Sequence, residues 1–145
     1  MHDYLIASMN WHQVLEDRAS VLNVVRERLA KNLALLRAFF KRHADLFDWQ
    51  EPKAGTVCFP RLLRMPPAAA AAAAATAAVT ADASTTTPAS DRVDVAAYCT
   101  WLVETHSIML LPATVYDGAG HLSCFRLGFG RANFPDVLQR WEQTL

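Results

Sequence analysis

The sequence predicts an α+β domain: a small, mostly antiparallel sheet covered on one face by helices. Three observations predict it. Phe125, Leu127 and Phe129 alternate with Arg126, Gly128 and Gly130, the period of two of a strand with one buried face. Leu22, Val25, Leu29, Leu33, Leu36 and Phe40 recur at spacings of three or four, the apolar stripe of a long amphipathic helix. Phe134, Val137, Leu138, Trp141 and Leu145 trace a second apolar face, in a terminal helix started by Asn133-Phe134-Pro135-Asp136.

Taken in order, residues 1–12 show no period. The long helix is predicted from about Gln13 to Ala44. Arg26, Glu27, Lys31, Arg37 and Lys41 fall largely off its stripe, and Glu27–Lys31 is an i,i+4 pair in the favourable orientation. Arg37, Lys41, Arg42 and His43 crowd its last turns, where positive charge complements the helix dipole, and read as a solvated end. Leu46–Gln50 and Thr56–Phe59 are short strands either side of Glu51-Pro52-Lys53-Ala54-Gly55, a hairpin whose second strand should stop at Pro60. Within positions 68–89 there are 13 alanines among 22 residues and one charge, Asp82. Alanine favours helix, but with no amphipathic face, and with Thr85-Thr86-Thr87-Pro88 at its end, the stretch 65–89 reads as a disordered low-complexity insertion. A helix follows, capped by Asp91, with Val95, Tyr98, Cys99, Leu102 and Val103 on its apolar face and its end near His106. Ile108–Leu111 is a strand stopped by Pro112, and a loop from Ala113 to His121 returns the chain to the arginine strand.

A chain of 145 residues suffices for one domain with a substantial core. With 14 basic and 14 acidic residues the formal net charge is zero, and no basic block is present, which argues against nucleic-acid or membrane partners held by charge. Cys58, Cys99 and Cys124 are odd in number and lack C-x-x-C spacing, pointing to a reducing compartment. His2, His12, His43, His106 and His121 stand singly, without metal-ligand spacing. No apolar run is long enough to span a bilayer, and Met1-His2-Asp3-Tyr4 lacks the order of a secretory signal, so a cytoplasmic location is expected.

The residue that invites a chemical role is Arg126. On its strand face a long cation is followed by two residues without side chains, leaving room beside it for a planar anion. Its fork of donors matches a carboxylate bidentately, as lysine cannot. Two other readings stand beside that one: a surface arginine on an edge strand, and an anion anchor in an unrelated α+β binding domain.

The stretch Phe125–Arg131 and its capped terminal helix resemble the end of class I/II aminotransferases, fold-type I enzymes that use pyridoxal phosphate. The likeness extends over most of the chain. Pro52-Lys53-Ala54-Gly55, with Trp49 before it and Val57–Pro60 after it, resembles the family's P-x-A-G turn after a long helix. Leu111-Pro112-Ala113 and Tyr116 resemble the strand, Pro-Gly step and aromatic that precede the family's arginine strand, with Ala113 where glycine is usual and positive φ would be costly. The resemblance implies that residues 1–145 correspond to the carboxy-terminal small domain, with 65–89 inserted, and that Arg126 matches the arginine holding the substrate α-carboxylate. It further implies amino-group transfer between an amino acid and a 2-oxo acid, biosynthetic work, pyridoxal 5'-phosphate as coenzyme and a homodimer. The coenzyme-binding large domain has no counterpart here. Lys31, Lys41 and Lys53 are the lysines present, none in the Ser/Thr-x-x-Lys setting of a coenzyme lysine, and no glycine-rich segment precedes a helix to cradle phosphate. This chain alone is therefore expected to be inactive and to hold no coenzyme. It reads either as a fragment of such an enzyme or as a non-catalytic interaction module that kept the small-domain fold.

Overall fold

The computed structural model describes residues 11–79, 93–116 and 123–145. Among them are helices α1 (Trp11–Arg42), α2 (Pro67–Val79), α3 (Val95–His106) and α4 (Phe134–Glu142). The strands are β1 (Phe47–Asp48), β2 (Val57–Cys58), β3 (Arg61–Leu62), β4 (Leu111–Pro112) and β5 (Phe125–Gly128), all paired antiparallel. The α+β class expected from the sequence is what forms.

The sheet is organised around β5. Val57 stands opposite Gly128 and Cys58 opposite Leu127, while Arg61 bridges to Cys124 in the same register. Strands β2 and β3 are thus two ends of one extended segment, and Pro60 does not stop it. Proline lacks a donor but keeps its carbonyl, and that carbonyl accepts from Phe125 N at 3.0 Å. The hairpin expected between 46–50 and 56–59 accordingly forms further along: β1 pairs with β3, Phe47 opposite Leu62, while β2 pairs with β5. On the other edge β4 pairs with β5, Leu111 opposite Arg126.

One core lies on one face of this sheet. Phe125, Leu127 and Phe129 point into it with Leu36, Phe39 and Phe40 of α1, Tyr98 and Leu102 of α3, and Phe134, Leu138 and Trp141 of α4. Trp141 is at its centre, with ring centroids 4.6 Å from Phe39, 5.5 Å from Phe47 and 5.9 Å from Phe125. Burying an indole N–H demands a partner, and Trp141 Nε1 donates to Tyr98 Oη at 2.7 Å. Only the carboxy-terminal half of α1 joins this core. Leu36 and Phe40 are buried and Leu29 and Leu33 half-buried, but Leu22 and Val25 at the other end of the stripe are exposed.

Within α1, Asn32 is a buried polar residue on the apolar side. Its Nδ2 donates to the carbonyls of Phe129 at 2.7 Å and Arg131 at 3.0 Å, so the long helix holds the exit of β5 directly. Both partners can only accept, which fixes the orientation of the amide. The charges at the end of α1 are not merely solvated: Arg37 pairs with Glu51 through two hydrogen bonds, and Arg42 and His43 both meet Glu142 of α4. Arg64 pairs with Asp45. Glu27 and Lys31 form no ion pair with each other.

Three local expectations change. The disorder expected over 65–89 does not extend to Pro67–Val79, which is helical. Proline suits the first helical position and alanine has the highest helix propensity. Ala69 is buried in the core and α2 lies against α3, so a small-residue face substitutes for an amphipathic one. Residues 80–89 lie outside the described residues, as does Asp91; the cap of α3 is Asp94, whose carboxylate accepts from Ala97 N at 3.0 Å. The apolar face of α3 also stops short of Val103, which is exposed. Finally, Ala113 opens a turn of 3-10 helix and has no positive φ; among the described residues other than glycine, the one that does is Ser107, at φ 54°, ending α3. There Ser107 N donates to Val103 O and Ile108 N to Leu102 O, a left-handed cap usually made by glycine.

Two expectations follow from this packing. Replacing Asn32 by alanine strands the carbonyls of Phe129 and Arg131, at a cost of about 1–3 kcal/mol, read as a lower denaturant midpoint with unchanged slope. A midpoint equal to wild type would show that the clamp carries no stability. The second concerns alkaline pH. Burial pushes the Cys58 thiol up to about 11, an effect the nearby Trp49 indole partly offsets, and pushes Cys99 up to about 12, with Asp94 adding to it. Burial likewise raises the Tyr98 phenol, against the bond from Trp141. Each group holds its proton more tightly folded than unfolded, so their contribution is complete below the unfolded thiol value and lost as pH rises through the folded ones. Stability should be level up to about pH 8 and fall by on the order of 5 kcal/mol towards pH 11. Cys58→Ala should remove about a third of that fall, as denaturation at stepped pH will show.

Candidate functional site

Strand β5 alternates buried and exposed residues, so the period that sends Phe125 and Leu127 into the core sends Arg126 and Gly128 outward. Arg126 stands on the face away from all four described helices. Leu111 of β4 is its partner on one side. On the other, the register that sets Cys58 opposite Leu127 sets Phe59 opposite Arg126. The 3-10 turn after β4 brings Tyr116 over the same spot: Arg126 Nη1 donates to Tyr116 Oη at 3.5 Å, and the Tyr116 ring meets Phe59 edge to face at 6.1 Å.

No carboxylate contacts Arg126 among the described residues, and the one long contact to a phenol leaves most of its donors unused. The space expected beside it exists at Gly128, where an added Cβ would meet nothing within 4 Å. It does not exist at Gly130, where the same atom would stand 3.2 Å from Thr56 Cβ, so that glycine serves close packing of the strand end on β2. The surroundings are mostly apolar: Phe59 is 54% exposed, Met109 77% and Val115 58%, with Leu111 and Tyr116 also exposed, and Arg61 exposed two residues beyond Phe59. This apolar face lowers the effective dielectric for any anion brought to Arg126 once another body covers it.

The sequence picked out Arg126 and the openness at Gly128. It missed Phe59, read only as a strand residue, and Asn32, which fixes the end of the strand that carries the arginine. Tyr116 was marked only as an aromatic preceding the strand. Among the described residues no group of His, Cys, Asp and Glu could hold a metal ion, and no helix is long and apolar enough to cross a membrane.

No protein-family model matches the chain, and no curated protein matches it. Among solved structures, it is similar to the crystal structure of OrfR, a PLP-dependent cyclase, with a TM-score of 0.56 and 23% identity. The alignment covers 83% of this chain and 26% of that one, so the chain spans about a quarter of the enzyme's length. The fold is therefore one found within a pyridoxal phosphate-dependent enzyme.

An uncovered apolar face around Arg126 has a measurable consequence. Sedimentation velocity should show association that grows with protein concentration, and Phe59→Ser with Met109→Ser should reduce it without loss of helix content. Purely monomeric behaviour at every concentration would contradict it.

Proposed function

We propose that this chain is the small domain of an aminotransferase-type enzyme, supplying Arg126 as the anchor for the α-carboxylate of an amino acid or 2-oxo acid. The observation that supports it most is the uncommitted arginine beside the open Gly128, on a fold found in a pyridoxal phosphate-dependent enzyme. Two parallel charge-assisted bonds from the guanidinium would fix the substrate's orientation, and Tyr116 would steady the guanidinium from the side. Removing water around such a pair strengthens it, and the apolar ring of Phe59, Leu111 and Tyr116 suits that purpose.

Pyridoxal phosphate supplies the electron sink in this chemistry, and the described residues do not fit it. Lys31 and Lys41 are exposed on α1 and Lys53 is exposed in the turn before β2, so none stands in a closed pocket that could hold the coenzyme. A further domain, covering the apolar face, would hold the coenzyme, and the family's homodimer would complete the site. That same face also favours a second reading, an interaction module that kept this fold without catalysis.

The test is to supply a coenzyme-binding large domain, fused or in trans, and to assay amino-group transfer. With activity present, Arg126→Lys should lose the bidentate geometry and Arg126→Ala the charge as well. Truncation should cost about 2–5 kcal/mol, seen as a fall in kcat/KM for the amino acid. Arg131→Ala, in an exposed residue beyond the strand, should change little. Equal losses from Arg126→Ala and Arg131→Ala would overturn the assignment; a tight complex with no transfer under any substrate would favour the interaction module.

A further inference from the structure

A cavity lies beside the end of β5. It is about 360 Å³, between α4, the end of β5 and the segment leaving α3. Its floor is apolar: the edges of the core residues Ile108, Leu110, Leu127, Phe134, Leu138 and Trp141, with Met109, Val137 and Gly128 completing the wall. The one polar atom that Trp141 could offer is already committed to Tyr98. The rim is different. Arg131 and Arg140 flank the opening with Asn133 and Ser107, and no carboxylate lines it. Neither arginine is in an ion pair among the described residues, and the Asn133 side chain makes no cap bond to α4.

We propose that this cavity binds a small monocarboxylate with an apolar body, aromatic or branched aliphatic. The body would cover the floor, where water finds no partner, and the carboxylate would stay at the rim, where two guanidinium groups supply donors in the geometry it accepts. A neutral apolar molecule would leave both cations without an anion. A dicarboxylate or sugar phosphate would place polar groups against a floor with nothing to receive them. The left-handed turn at Ser107 matters because it redirects the chain after α3, so that Ile108 and Leu110 face the cavity beside Leu127. Arg126 itself does not line the cavity, although its neighbours Gly128 and Met109 do. It does not depend on the proposed function.

The experiment is a titration of the chain with 3-phenylpropionate, followed by backbone amide shifts in two-dimensional NMR. Saturable shifts should cluster at Ser107–Leu110 and Leu127–Arg140, with a Kd of roughly a millimolar for a ligand this small. The corresponding amide, 3-phenylpropionamide, should bind about fivefold more weakly, and added salt should weaken the acid but not the amide. Arg131→Gln and Arg140→Gln change exposed side chains, so the fold remains; each should cost about threefold and the pair about tenfold. Arg126→Gln should leave the titration unchanged. Equal affinity for acid and amide, no saturable shift at these residues, or loss of binding in Arg126→Gln with retention in the double variant would each overturn the proposal.

Discussion

The amide of Asn32 is the contact on which the rest depends. It sits where an apolar residue would be expected, on the buried side of a long helix, and donates to two carbonyls almost a hundred residues away in sequence. A strand leaving a sheet has unpaired carbonyls, and burying them without donors would be costly. By satisfying two at once, Asn32 fixes the height of β5 along α1. It fixes the direction in which the chain enters α4 as well. Every outward residue of β5 inherits its position from that clamp, Arg126 included.

The clamp works because one side of the sheet carries all the packing. Trp141 joins residues from α1, β1, α3, β5 and α4 into one cluster, and its indole N–H is satisfied from within by Tyr98. The other side carries aromatic and aliphatic side chains that no described element covers. The same division runs along α1, whose stripe is buried from Leu36 onward and bare at Leu22 and Val25. A domain built this way is packed from one side of its sheet and open on the other.

Much of this was legible in the sequence. The period of two in Phe125–Phe129 gave both the buried face and the outward arginine, because a half-buried strand admits little else. The stripe on α1 announced a long helix, though a stripe says where a face could be buried and not what lies over it. Asn32 left a trace, a polar residue of modest helix propensity among Leu29, Leu33 and Leu36, but its partners are too distant in sequence to be foreseen. Pro60 was misleading in the other direction. A missing donor reads as a stop, yet the carbonyl carries the pairing onward to β3. The alanine run shows propensity prevailing without an amphipathic face, since Ala69 needs only a shallow place against the core. The rim of the α4 cavity was invisible, because Arg131 and Arg140 belong to different local patterns and meet only in space.

The distance spanned by the Asn32 clamp has a consequence for how the molecule comes into being. The amide and its first acceptor are separated by 97 residues, and the pair between Arg42 and Glu142 by 100. Contacts this remote cannot form until nearly all the chain is available, and folding slows as such contacts dominate. During synthesis α1 emerges well before α4, with its stripe of leucines still uncovered by the later elements of this domain. The nascent chain must wait in that state until α4 arrives to shut the core. Its exposure to chaperones and to other nascent chains is therefore set by the order of synthesis, independently of how stable the finished domain becomes.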